Sequence, residues 1–124
     1  MNITFPTPFR FAIEASRKSS MDTKVGACLV VGKSTYKGHN QEKTHTVFAN
    51  PNIHTRLSLH AEIVCLLKAG GTVDHGFIYI YREVNGKPAL AKPCDQCMPI
   101  LKISGVKKIF YSTSHYPFWK EEWL

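Results

Sequence analysis

Ser58-Leu59-His60-Ala61-Glu62-Ile63-Val64-Cys65-Leu66-Leu67-Lys68-Ala69-Gly70 reads as a short helix with chemistry at its entrance. Ser58 has the hydroxyl of an N-cap, able to accept a bond from an orphan backbone N–H. Ile63, Val64, Leu66 and Leu67 supply a buried face, and Gly70 is a natural stop. His60 and Glu62 fall in the first turn, where the helix dipole favours negative charge. Residues two apart on a regular helix do not share a face, so spacing alone does not bring these two around one ion.

A second stretch answers the first: Lys92-Pro93-Cys94-Asp95-Gln96-Cys97-Met98-Pro99-Ile100-Leu101. Two cysteines three apart open another helix, close enough on its surface for both sulfurs to face one ion. A helix N-terminus also favours thiolates. One His and two Cys make three zinc ligands and leave a fourth position open. That count marks a catalytic site, because a structural zinc is normally closed by four protein ligands.

The rest of the chain is read around these two stretches. Thr7 and Pro8 are expected as N-cap and first position of a helix running to about Ser19. Lys24 to Val31 is a strand, and Gly32-Lys33 turns it into an antiparallel partner from Ser34 to Asn40. Residues 41–57 form a long connection carrying Lys43, His45, His54 and Arg56; so long a loop in so small a domain points to function. Gly76 to Val84 is a buried strand, and Asn85-Gly86 signals a hairpin returning through Pro88, Ala89 and Leu90. The helix from Cys94 ends near Ser104-Gly105, and Val106 to Tyr111 is a further strand. Residues 112–124 read as a polar and aromatic tail with one short helix at Trp119 to Trp123. Strand, helix, strand, helix, strand implies βαβ crossovers and a mostly parallel sheet, with ligands bound beside helix N-termini at strand ends.

The 124 residues suit one domain, 1–124, with one core. An apolar content of 44% and a charged content of 20% describe an ordinary globular protein. No apolar run is long enough to span a membrane, and Pro6, Pro8 and Arg10 interrupt any signal-peptide pattern. Cys28 and Cys65 sit in apolar patterns and are expected as small core residues. A thiol pair kept for metal fits a reducing compartment, so a cytoplasmic location is expected. The formal net charge of +7 suits an anionic partner or a plain basic surface, and it is scattered rather than gathered into a nucleic-acid arm.

His60-Ala61-Glu62 followed by Pro93-Cys94-Asp95-Gln96-Cys97 resembles the zinc signature H-x-E…P-C-x-x-C of the cytidine and deoxycytidylate deaminase superfamily. Val25 to Val30 resembles the first strand of that family, and Gly38-His39-Asn40 the end of its second. The resemblance implies an α/β fold: a three-layer sandwich with a mixed sheet of four to five strands and helices on both faces. Members of the deoxycytidylate and tRNA-adenosine branches usually continue into a helix and a fifth parallel strand. This tail is too short for both, so any fifth strand is expected from Pro88 to Ala91. The resemblance further implies Zn²⁺ held by His60, Cys94 and Cys97, with Glu62 as the proton shuttle. Glu62 would take a proton from water, protonate the ring nitrogen and release ammonia. It places the Ala61 N–H on the base carbonyl, Asn40 on a sugar hydroxyl and Pro93 at the substrate.

Lys43 and Arg56 are expected to hold a phosphate, Arg56 through its two-pronged fork. The expected substrate is therefore a (deoxy)cytidine monophosphate, and the partner a small nucleotide. A polynucleotide cytosine or adenine deaminase is the first alternative. Tyr116, Phe118, Trp119 and Trp123 could then stack bases, although packing onto the sheet is the plainer use of such residues. A noncatalytic zinc-stabilised binding domain is the second alternative, and it would have no use for Glu62. Relatives commonly assemble, so a homo-oligomer is expected.

Overall fold

The structure, a computed structural model, describes residues 5–41 and 60–124. Helix α1 spans Thr7–Ser16, and strands β1 and β2 span Lys24–Val31 and Ser34–His39. Helix α2 is Ala61–Lys68, followed by β3 (Gly76–Val84) and β4 (Lys87–Ala89). Helix α3 is Cys97–Ile103, β5 is Val106–Ser112 and β6 is Trp119–Trp123. The main path of the sheet runs β2-β1-β3-β5-β6, with β4 paired to the far end of β3.

The side-chain period of two sorts each strand between two cores. Ala27, Leu29, Ile78, Ile80, Ile109 and Tyr111 point to one face and pack beneath α2 and α3, against Ile63, Leu66 and Leu101. Cys28, Tyr79, Tyr81 and Phe110 point to the other and meet Phe9 and Ala12 of α1. The result is three layers, with α1 alone on one face and the two metal-bearing helices on the other. Tyr79 and Phe110 stack at 4.2 Å on the α1 face, and Phe9 meets Tyr79 edge-on at 5.4 Å. Gly26 sets the closeness of α1, since a Cβ there would run into the Ala12 carbonyl and the backbone of Ser16. Gly38 does the same for α2, where a Cβ would lie 2.8 Å from the Ala61 carbonyl oxygen. Cys28 and Cys65 are fully buried, one in each core, and burial pushes the Cys28 thiol up to about 11. Both behave as the small core residues expected of them.

Four features depart from the sequence reading. Among the described residues only β3 and β5 pair in parallel; every other pairing is antiparallel. The sequence shows how many crossovers exist but not which strands they make neighbours, and β1 lies between the parallel-running β2 and β3. Among the described residues the mixed sheet has five strands on its main path, the upper end of the four to five expected, and β4 beside it as a sixth. The fifth on the path is the tail: Trp119–Trp123 is a strand on the edge of β5, not a helix. Pairing with β5 holds it extended, and Trp119 packs on Phe9 and Phe110 while Trp123 lies against Phe77 and Lys108. The Pro88 arm does form a strand, β4, but it pairs with the end of β3 on the side that β5 occupies, beyond the last β5 pair, and so adds no position to the main path. Finally, α1 begins one residue early, with Pro6 as its N-cap, and ends at Ser16. The Asn85-Gly86 turn is as expected, with φ of 53° and 75°, the two left-handed positions of a type I′ hairpin.

Ser112 locks the carboxyl ends of the strands around the future site. Its buried hydroxyl accepts the Arg82 N–H at 2.9 Å and donates to the Ala89 carbonyl at 2.7 Å. Ser112→Ala strands both groups and should cost about 1–3 kcal/mol of stability, read by urea unfolding. A loss under ~0.5 kcal/mol would mean that the two backbone groups find other partners.

Candidate active site

The site lies where β2 and β3 end and where α2 and α3 begin. His60 is not in the helix. It is the residue ahead of α2, extended at φ −74° and ψ 148°, while Glu62 is the second helical residue. This removes the difficulty of two side chains two positions apart, because a turn in the backbone separates them. His60 Nδ1 lies 3.5 Å from Glu62 Oε1. Ser58, the expected cap, lies outside the described residues. Cys94 likewise precedes its helix: its carbonyl accepts the N–H of Cys97 at 3.0 Å and of Met98 at 3.1 Å. Cys97 is the first residue of α3 and is buried, whereas Cys94 is exposed.

The three donor atoms of His60, Cys94 and Cys97 lie within 4.8 Å of one another. His60 Nδ1 is 3.1 Å from Cys97 Sγ and 3.8 Å from Cys94 Sγ. A tetrahedral zinc with bonds of about 2.3 Å to sulfur and 2.0–2.1 Å to nitrogen holds such donors roughly 3.5–3.8 Å apart. The cluster therefore fits zinc with small adjustments. Its charges ask for a cation as well. Burial drives the Cys97 thiol far up, and the nearby Glu62 carboxylate and Cys94 sulfur push the same way. The hydrogen bond to Glu62 raises His60, against the effect of burial. Burial opposes the Cys94 thiolate, yet the Cys97 and Gln96 N–H groups, the Cys97 thiol and His60 together bring it below its ordinary value.

A cavity of about 220 Å³ opens over this cluster. His60, Ala61, Glu62 and Cys94 line it together with Asn40, Pro93, Arg82 and Lys92, and Ile80 and Leu90 add apolar surface. Cys97 lies beneath. Glu62 is 4% exposed, a carboxylate held almost wholly out of water with its oxygen turned to the histidine. Asn40 is anchored on both sides: its Oδ1 accepts the Val25 N–H at 3.0 Å, and its Nδ2 donates to the Thr23 carbonyl at 2.7 Å. One Nδ2 hydrogen remains for a ligand.

The chain matches the family described as the cytidine and deoxycytidylate deaminase zinc-binding region over residues 7–113. It belongs to that family. Its cofactor is Zn²⁺, since the match is to a zinc-binding region and His60, Cys94 and Cys97 are gathered for a metal. The fold is similar to that of a cytidine deaminase from Burkholderia pseudomallei, at 20% identity and a TM-score of 0.64, over 94% of this chain and 90% of that one. It is also similar to the dCMP deaminase of the cyanophage S-TIM5 in apo form, at 23% identity and a TM-score of 0.59, over 90% and 83% of the two chains. The same phage enzyme in complex with dCMP and dUMP matches at 23% identity and a TM-score of 0.52, over 88% and 77%. No curated protein sequence matches. Among the described residues no helix is long and apolar enough to cross a membrane.

Six of the residues singled out from the sequence thus line one cavity, with Cys97 under it. Lys43 and Arg56 lie outside the described residues, as do His45 and His54. Arg82 was missed and Lys92 was read only as part of the approach to Cys94. The signal for Arg82 was available: it stands two and four residues beyond Ile80 and Ile78, so the strand period turns it to the face of the metal-bearing helices.

Proposed function

We propose that the chain is a zinc-dependent hydrolytic deaminase that converts a cytosine base to uracil, with a (deoxy)cytidine monophosphate as preferred substrate. The observation that carries the reading is the buried Glu62 carboxylate at the mouth of the metal cluster. A domain that needed only metal for its fold would gain nothing from burying an acid there, and desolvating a charge is costly. Zinc supplies Lewis acidity that makes water acidic enough to act as hydroxide near neutral pH.

The chain's own groups do the rest. Glu62 takes a proton from the attacking water and passes it to the ring nitrogen beside the amino-bearing carbon. It then gives a second proton to the departing amine. The Ala61 N–H, an orphan donor of the first helical turn, binds the base carbonyl. The free Nδ2 hydrogen of Asn40 binds a sugar hydroxyl, and Pro93 forms the wall beside Cys94. The balance is one water consumed and one ammonia released, with the carbon–nitrogen bond to the amino group replaced by a carbonyl.

A second reading, a deaminase of single-stranded polynucleotide, is favoured by one observation. A neighbouring cavity shares Leu90 with the zinc cavity and is lined by Tyr116, Trp119 and Lys120. Tyr116 is 73% exposed there and could stack a flanking base. Ammonia release from dCMP, deoxycytidine and a dC-containing oligonucleotide separates the readings. The monophosphate reading expects dCMP to have the highest kcat/KM. Faster turnover of the oligonucleotide, with a steep salt dependence, would replace it with the strand reading.

A further inference from the structure

We propose that Arg82, assisted by Lys92, is the phosphate-reading group of the zinc cavity and sets the preference for a nucleoside monophosphate over the bare nucleoside. This rests on the deaminase reading of the same cavity. The cavity lining brings two kinds of group together: His60, Glu62 and Cys94, where an amino-bearing ring can react, and two cations, Arg82 and Lys92. Glu62, its only lining carboxylate among the described residues, is turned to the histidine and does not neutralise them. A ligand matching both sets of groups carries a base and an anion. At about 220 Å³ the cavity has no room for more than one nucleotide unit.

Arg82 is placed for this with its donors unspent. Its backbone is fixed by the Ser112 hydroxyl, which ties β3 to β4 and β5 at this point. Among the described residues its guanidinium makes one long contact, Nη1 to the Leu90 carbonyl at 3.4 Å. No carboxylate among the described residues pairs with it. A guanidinium with five donors and, among the described residues, one long contact is suited to a two-pronged bond to a phosphate. Lys92 comes from the segment that carries Pro93 and Cys94. Its Nζ lies 3.3 Å from Glu122 Oε2 on β6, with both side chains more than 40% exposed. A pair so exposed contributes little and holds the ammonium loosely, so a phosphate can draw it over.

The test compares dCMP with deoxycytidine on zinc-loaded protein. Arg82→Gln is expected to lower kcat/KM for dCMP by ~10–100-fold, the scale of a lost charge-assisted bond. Deoxycytidine should change by less than ~2-fold, and Lys92→Gln should show a smaller loss of the same selectivity. Arg82→Lys keeps charge and stem but not the fork, so it should give an intermediate loss and serves where Gln disturbs the fold. Calorimetric titration with dUMP and deoxyuridine, which needs no turnover, runs beside it. Loss of dUMP affinity alone in Arg82→Gln supports the subsite even if no ammonia is ever released, and the deaminase reading then falls by itself. Equal losses for both substrates would reduce Arg82 to a structural role and overturn the proposal. So would an unchanged selectivity, a selectivity removed by Arg56→Ala alone, or an oligonucleotide turned over faster than dCMP.

Discussion

Glu62→Gln is expected to retain zinc and fold while losing at least ~10²-fold in turnover, and up to ~10⁴-fold, the range for a positioned acid–base group. The amide is close to isosteric with the carboxylate and can still occupy the pocket beside His60. What it cannot do is accept a proton from water and return it to the ring. Because Glu62 lies 3.5 Å from His60 Nδ1 and is 4% exposed, bulk water is poorly placed to substitute for it. Kinetics of the zinc-loaded variant, with metal analysis on the same sample, check this. Activity equal to that of the parent would remove Glu62 from the chemistry and leave its burial unexplained.

The second large effect is at the metal. Cys94→Ser should take the bound zinc from about one per chain to well below that, and take activity with it, because a serine hydroxyl remains protonated where a thiolate would bind. The protein should also lose the stabilisation that a tightly held ion confers, roughly 2.7 kcal/mol at a free metal concentration 100 times its Kd. Cys28→Ala is the control: Cys28 is buried on the opposite face of the sheet, among Phe9, Tyr79 and Phe110, and its loss should leave zinc in place. Full zinc occupancy in Cys94→Ser would show that the metal is held elsewhere.

The metal site was legible because its chemistry is written in residue types at short spacing. His60, Glu62, Cys94 and Cys97 need only two local turns to point them, and both turns are set by helix starts. Strands β1, β3 and β5 were legible for a similar reason, as apolar runs with alternating partners. The site's geometry was less so. Spacing alone argued against bringing His60 and Glu62 to one ion, and only the extended backbone at His60 resolves this. Neither the parallel character of the sheet nor the fate of the tail was local. Trp119–Trp123 carries charges at Lys120, Glu121 and Glu122 between its two tryptophans, a pattern open to either structure. Its pairing with Lys108–Ser112 decides the matter. Arg82 illustrates a different gap: one charge at the end of an aromatic strand looks like the strand's solvent-facing end. Only when Pro93, Lys92 and Leu90 are brought alongside does it become part of a cavity.

Hydrolytic deamination at this zinc site would leave its mark in ¹⁸O-labelled water. Zinc-loaded protein is offered cytidine, deoxycytidine, their monophosphates, adenosine, guanine and a single-stranded oligonucleotide. Ammonia is measured by a coupled assay and the base by mass spectrometry. One ammonia per product is expected, with one solvent oxygen on the carbon that carried the amino group and a (deoxy)cytidine monophosphate as the fastest substrate. A folded, zinc-loaded protein that releases no ammonia from any of them would not be a deaminase of these bases.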